Sequence, residues 1–137
     1  MLNNEELIVL IIDDNINTVL RFKNILKEGG FSVLSSCGYQ GYAVAMKERP
    51  DIIVMDLLLK HKNGFEILRN LKNSIWTKNI PVFIFSELDT DLCREEAYRL
   101  GAAGYMSKPN HFSCLLPEIR AEKSSKKQIC SQNSLPV

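Results

Sequence analysis

The stretch Leu7-Ile8-Val9-Leu10-Ile11-Ile12-Asp13-Asp14-Asn15 decides how the chain is read. An unbroken aliphatic run with no polar alternation suits a strand buried on both faces, as in a parallel sheet. The run ends on two adjacent acids. A helical pattern follows, with Ile16, Val19, Leu20 and Leu26 near one face and Lys23 and Lys27 off it. Gly29-Gly30 then supplies a C-terminal stop.

Outward from there the same alternation recurs. Phe31 to Ser36 reads as a second strand, and Tyr42, Ala45 and Met46 mark a short helix that closes before Pro50. Asp51-Ile52-Ile53-Val54-Met55 is a third strand that runs into Asp56. Ile67, Leu68, Leu71 and Ile75 repeat at helical spacing. Pro81 to Phe85 is a fourth strand, and Cys93, Ala97 and Leu100 form the stripe of a helix stopped by Gly101. Ala103 to Met106 is a fifth strand, and Phe112, Leu115, Leu116 and Ile119 give a fifth helix. Strands alternating with helices imply an α/β fold, a doubly wound (βα)5 three-layer sandwich whose five-stranded parallel sheet is covered on both faces. From Ala121 onward the core-forming pattern stops and the chain is mostly polar. One domain over residues 1–120 and a disordered polar tail over residues 121–137 are therefore expected.

A length of 137 residues fits one domain, and 45% hydrophobic with 24% charged residues is ordinary for a globular protein. Seventeen Lys and Arg against sixteen Asp and Glu leave a net charge of +1, with no electrostatic footprint for nucleic acid or an anionic membrane. No apolar run approaches the roughly 18 residues of a membrane span. Leu7–Ile12 has neither a basic flank nor a small-residue cleavage site, so it does not read as a signal peptide. A cytoplasmic location is expected. Cys37, Cys93, Cys114 and Cys130 form no C-x-x-C pair, and they read as small hydrophobes or bystanders rather than zinc or redox ligands.

In open parallel sheets, ligands bind beyond the carboxyl ends of the strands. The residues just past those ends are Asp13 and Asp14, then Asp56, then Ser86, then Ser107, Lys108 and Pro109. Three carboxylates at about 5 Å repel by about 3 kcal/mol per pair at an effective dielectric near 20. Lys108 offsets part of that. A hard divalent cation with oxygen ligands, Mg²⁺ or Mn²⁺, is the natural remainder. A metal and a lysine together can also neutralise a phosphoryl group. Asp56 stands alone after its strand and is placed to accept phosphate as a carboxylate nucleophile, while the adjacent Asp13 and Asp14 suit metal binding. Taken singly, each residue has a plainer use. Asp14 or Asn15 can cap the first helix, and Ser86 can cap the fourth.

The ordered set resembles the receiver domain of two-component response regulators, from about Leu7 to Arg120. The matching pieces are Ile11-Ile12-Asp13-Asp14-Asn15, Ile53-Val54-Met55-Asp56-Leu57, Asn63-Gly64 with Glu66, Phe83-Ile84-Phe85-Ser86, and Gly101 through Pro109. The resemblance implies strand order 2-1-3-4-5. It implies that Asp56 takes phosphate from a sensor histidine kinase or phosphotransfer protein. Asp13, Asp14, Asp56 and the backbone carbonyl of Leu58 would hold Mg²⁺ or Mn²⁺. Lys108 and Ser86 would bind the phosphoryl oxygens. Tyr105 would turn inward with Ser86 when the phosphate arrives, changing a face made by the fourth helix, fifth strand and fifth helix on which a downstream protein docks. The Lys108-Pro109 bond would be cis, and Leu58 and Glu87 would set access to the pocket. No turnover of an external substrate is implied, only the domain's own phosphorylation and dephosphorylation.

The chain departs from the family pattern at three places. Lys60 stands where a proline is usual, four residues after the acceptor. Glu87 follows the switch hydroxyl, where a small residue is usual. Pro117 falls inside the fifth helix. Three other readings compete. A flavodoxin-type flavin site needs a phosphate cradle after the first strand, which Asp13-Asp14-Asn15 would repel. An aspartate phosphatase matches Asp13 and Asn15 poorly. A receiver-like interaction module that works without phosphate stays open because of Lys60 and Glu87. Beyond Arg120 no recognition helix or basic stripe appears. The expectation is a receiver that docks on a protein or passes phosphate along a relay, or a piece of a hybrid kinase or larger regulator.

Overall fold

Val9, Leu10, Ile11 and Ile12 are all fully buried, which is why the aliphatic run forms a strand with no polar face. Val9 and Ile11 enter one apolar cluster and Leu10 and Ile12 another, so the strand separates two cores. The structure, a computed structural model, describes residues 6–108 and 112–133. Its elements are β1 (Ile8–Ile12), α1 (Ile16–Glu28), β2 (Ser32–Ser36), α2 (Gly41–Glu48), β3 (Ile52–Met55), α3 (Gly64–Asn73), β4 (Val82–Ser86), α4 (Asp91–Arg99), β5 (Gly104–Ser107) and α5 (Phe112–Asn133). A short 3-10 turn, Gly38–Gln40, leads into α2. All strand pairs are parallel and the order is β2-β1-β3-β4-β5. This is the doubly wound (βα)5 architecture expected, with the strand order 2-1-3-4-5 that the resemblance implies.

On one side of the sheet α1 and α5 cover Val9, Ile11, Val54, Phe83 and Phe85. Phe22, Phe85 and Phe112 meet there with ring centroids 4.7 to 5.2 Å apart. On the other side α2, α3 and α4 cover Leu10, Ile12, Ile53, Met55 and Ile84. Three local expectations need correction. The buried stripe of α1 is Val19, Phe22 and Leu26, while Leu20 and Ile16 are more than half exposed. Leu20 lies one position, about 100°, off that stripe. Ile75 does not continue α3: the helix stops at Asn73, Ser74 turns extended, and Thr77 bonds back to the Leu71 carbonyl at 2.6 Å. Finally, α5 does not end at Arg120 but continues to Asn133. Residues 121–133 contain neither glycine nor proline and include Ala, Glu, Lys and Gln, which are helix formers. Pro117 does not stop the helix either; it and Ser113, whose carbonyl it cannot bond, are exposed, so water can serve that group.

Candidate functional site

Parallel pairing brings several strand ends level. Ile12 pairs with Met55, Met55 with Ile84, and Ser86 with Ser107. The Asp56 amide donates to the Ile12 carbonyl at 3.0 Å, and the Lys108 amide to the Ser86 carbonyl at 2.9 Å. Asp13, Asp56, Ser86 and Lys108 therefore meet at one sheet edge. Ser86 and Ser107 are the last residues of their strands rather than the first residues beyond them.

Lys108 Nζ donates to Asp13 Oδ2 at 2.7 Å and to Asp56 Oδ2 at 2.9 Å. All three side chains are under 10% exposed. The other oxygen of each acid is held by a backbone amide two residues on: Asn15 to Asp13 at 2.8 Å, Leu58 to Asp56 at 3.0 Å. Each carboxylate is thus oriented by its own turn. Burial pushes the Asp13 carboxyl upward, against the bonds from Lys108 and Asn15. Burial also opposes the Lys108 charge, but the two carboxylates outweigh it and hold the ammonium above the ordinary lysine value.

Asp14 has a different role from Asp13. Its Oδ1 accepts from the Gly38 amide at 2.8 Å and its Oδ2 from the Lys60 amide at 2.6 Å. One carboxylate ties together the loops after β2 and β3. Burial opposes its charge, but those two amides outweigh it and keep the carboxyl below the usual aspartate range. The cap of α1 is Asn15, whose side chain accepts from the Thr18 amide at 3.1 Å. The cap of α4 is Thr90, which accepts from the Cys93 amide at 3.2 Å. That frees Ser86 from a capping role. Its fully buried hydroxyl accepts from the Leu88 amide at 3.2 Å, and the Leu88 carbonyl in turn accepts from the Tyr105 hydroxyl at 2.6 Å.

Tyr105 is 6% exposed, so the inward position that the resemblance reserves for the phosphorylated state is the one it occupies in this structure. The Arg94 guanidinium lies 4.9 Å from its ring centroid, pairs with Asp89 and reaches Ser107 Oγ at 3.2 Å. Sequence reasoning missed this cluster, since its members come from three separate segments and no local spacing marks them. Asp13, Asp14, Asn15, Ile16, Asn17, Asp56, Leu58, Lys60, Glu87 and Lys108 line a cleft of about 440 Å³. Pro109 lies outside the described residues. The donor set is all oxygen, which fits Mg²⁺ or Mn²⁺. Among the described residues, however, no group of three acidic, His or Cys side chains is arranged around a metal position.

The response regulator receiver domain model matches residues 9–120 of the chain. The chain belongs to this family. It is 33% identical over 114 residues to Protein PilH of Pseudomonas aeruginosa, across 82% of this chain and 94% of that one. To the transcriptional regulatory protein CusR of Escherichia coli it is 34% identical over 113 residues, 82% of this chain but 49% of CusR, so it spans about half of that regulator. As a receiver it overlays the chemotaxis protein CheY4 of Vibrio cholerae with a TM-score of 0.78 at 25% identity, covering 85% of this chain and 98% of the other. The fold also matches Rcp1, a response regulator solved in an Mn²⁺-bound form, with a TM-score of 0.68 at 21% identity, over 86% of this chain and 92% of the other. Its relatives are proteins of two-component signalling. Among the described residues no helix is long and apolar enough to cross a membrane.

Proposed function

We propose that this receiver is a phosphoacceptor switch in which Asp56 takes a phosphoryl group from a sensor histidine kinase or phosphotransfer protein. The observation that carries this reading is the shared ammonium: Lys108 Nζ holds Asp13 and Asp56 together at the sheet edge, inside an open cleft. A carboxylate oxygen of Asp56 attacks phosphorus. The bond from phosphorus to the donor nitrogen breaks, and its electron pair leaves with the donor imidazole. Lys108 neutralises oxygens of the transferring group. Asp13 and Asp14, with the Leu58 carbonyl, would hold a Mg²⁺ or Mn²⁺ ion, which when bound offsets the charge developing on the phosphoryl oxygens.

The new phosphate adds roughly two negative charges and strong acceptors. It biases the fold only through contacts that differ between states. Ser86, buried at the same sheet edge, would make one. Its hydroxyl is one residue-length of backbone from the carbonyl that holds Tyr105, so a movement of Ser86 reaches the α4-β5-α5 face through Leu88. A downstream protein would read that face. Glu87 and Leu58 rim the cleft, where they would tune access of the donor. Work with a soluble kinase domain or phosphotransfer protein goes with a cytoplasmic location and with no turnover of external substrates.

A second reading draws on Tyr105: already buried, it favours a face that binds its partner without phosphate. Intact mass after incubation with Mg²⁺ and a small acyl phosphate separates the two. The expected result is one phosphoryl adduct, lost in Asp56→Asn and lost with chelator. No adduct from the small donor or from any phosphorylated histidine kinase would overturn the phosphoacceptor reading.

A further inference from the structure

We propose that the backbone amide of Lys60 gates the metal ligand Asp14, so that metal entry requires the loop after β3 to release it. The proposal rests on the metal-dependent reading above. Asp14 does not face the Lys108 cluster with both oxygens free; one is bonded to Gly38 and the other to Lys60. The bond needs a residue with a backbone N–H at position 60; a proline there carries none and could make no such bond. Lysine supplies the donor, and at 2.6 Å its bond is the shorter of the two to Asp14.

The two amides are not equivalent. Gly38 is buried, and a Cβ there would lie 2.7 Å from the Leu59 side chain, so the loops after β2 and β3 are in close packing at this point. Stripping Gly38 of its acceptor would leave a buried N–H unpaired, which is costly. Lys60 is exposed, and its N–H can pass to water. When Asp14 turns an oxygen to a cation, the Lys60 bond is therefore the one that opens. The same loop carries Leu58, whose carbonyl is the further proposed ligand, and a bridge between Leu58 and Asn63 closes it. Opening at Lys60 thus loosens the loop that also carries that carbonyl. Mg²⁺ demands near-octahedral geometry and tolerates a misplaced ligand poorly, so this rearrangement falls on the metal affinity.

The test compares Mg²⁺ titrations by calorimetry on the full chain with Lys60→Ala and Lys60→Pro. Both variants lose the ammonium, but only the proline variant loses the N–H. The expected result is a Kd for Lys60→Pro about three- to tenfold below that of Lys60→Ala, the scale of one net hydrogen bond. In the wild-type chain, amide exchange followed by NMR should show Lys60 protected without metal and at least about tenfold faster at saturating Mg²⁺, with Gly38 unchanged. Equal Kd values for the two variants, a weaker Lys60→Pro, or a Lys60 amide equally protected with and without metal would each sink the gate. Should Lys60→Pro fail to fold, the wild-type exchange rates decide. Absence of any Mg²⁺ heat in the wild-type chain would instead remove the metal reading itself, and the gate with it.

Discussion

Lys108 and Asp56 stand 52 residues apart in the chain, yet Nζ of one donates to Oδ2 of the other at 2.9 Å. The same ammonium holds Asp13 at 2.7 Å, and burial of all three makes the cluster self-dependent. Removing one partner of a buried charged set leaves the rest uncompensated. Lys108→Met should lower unfolding stability by about 3 kcal/mol at pH 7 in chelator, read as a fall in the urea midpoint with an unchanged slope. A midpoint within error of wild type would show that water, not Lys108, carries the two carboxylates.

Gly64 sits at the start of α3 directly over the backbone that positions Asp56. A Cβ there would lie 2.5 Å from Leu57 Cα and 2.7 Å from its carbonyl oxygen. Backbone cannot move aside as a flexible side chain can. Gly64→Ala should cost about 1–3 kcal/mol and shift the Leu57–Leu58 amides in an NMR spectrum, with slower acceptance of phosphate at Asp56. An unshifted spectrum at these amides would contradict the contact.

Burial, chiefly, raises the Tyr105 phenol from 10.0 to about 12. A group whose pKa is higher folded than unfolded contributes stability that is complete below the unfolded value and fades as pH rises through the folded one. Stability should therefore fall between pH 10 and about 12 more steeply in the wild-type chain than in Tyr105→Phe. At neutral pH the phenylalanine variant should be weaker by about 1 kcal/mol, for the lost bond to Leu88. Parallel urea midpoints across the alkaline range would refute this.

Ser86 and Tyr105 are linked through the two ends of Leu88, amide and carbonyl. Ser86→Ala should still form the Asp56 adduct but leave the environment of Tyr105 unchanged by it, as read by the Tyr105 side-chain NMR signals before and after acyl phosphate. A full shift at Tyr105 in the alanine variant would place the coupling elsewhere.

Much of this molecule is legible in its sequence, and the reason is periodicity. Residues 8–12, 52–55 and 82–85 are continuous apolar runs because both faces of the sheet are covered, and each chemistry-bearing residue at the sheet edge sits at or next to a strand end. Asp13, Asp56 and Lys108 were legible for that reason. The misplaced details lie where local pattern is weak. Leu20 and Phe22 are both apolar residues of α1, and only the packing of α1 against Phe85 and Phe112 selects Phe22 for the core. Ile75 has helical spacing but lies past a turn that Ser74 and Thr77 build with their side chains. The polar residues beyond Arg120 carry no core signal, yet they extend α5.

The sequence by itself determined the alternation of elements, the parallel sheet and the acids and lysine at its carboxyl edge, because burial follows spacing along the chain. Only the tertiary structure decided which polar atom meets which. Asp13 found Lys108, whereas its neighbour Asp14 found the amides of Gly38 and Lys60; Arg94 found Asp89 and the ring of Tyr105. A hydrogen bond depends on positions within a few tenths of an ångström between segments distant in the chain, and no periodicity encodes that approach.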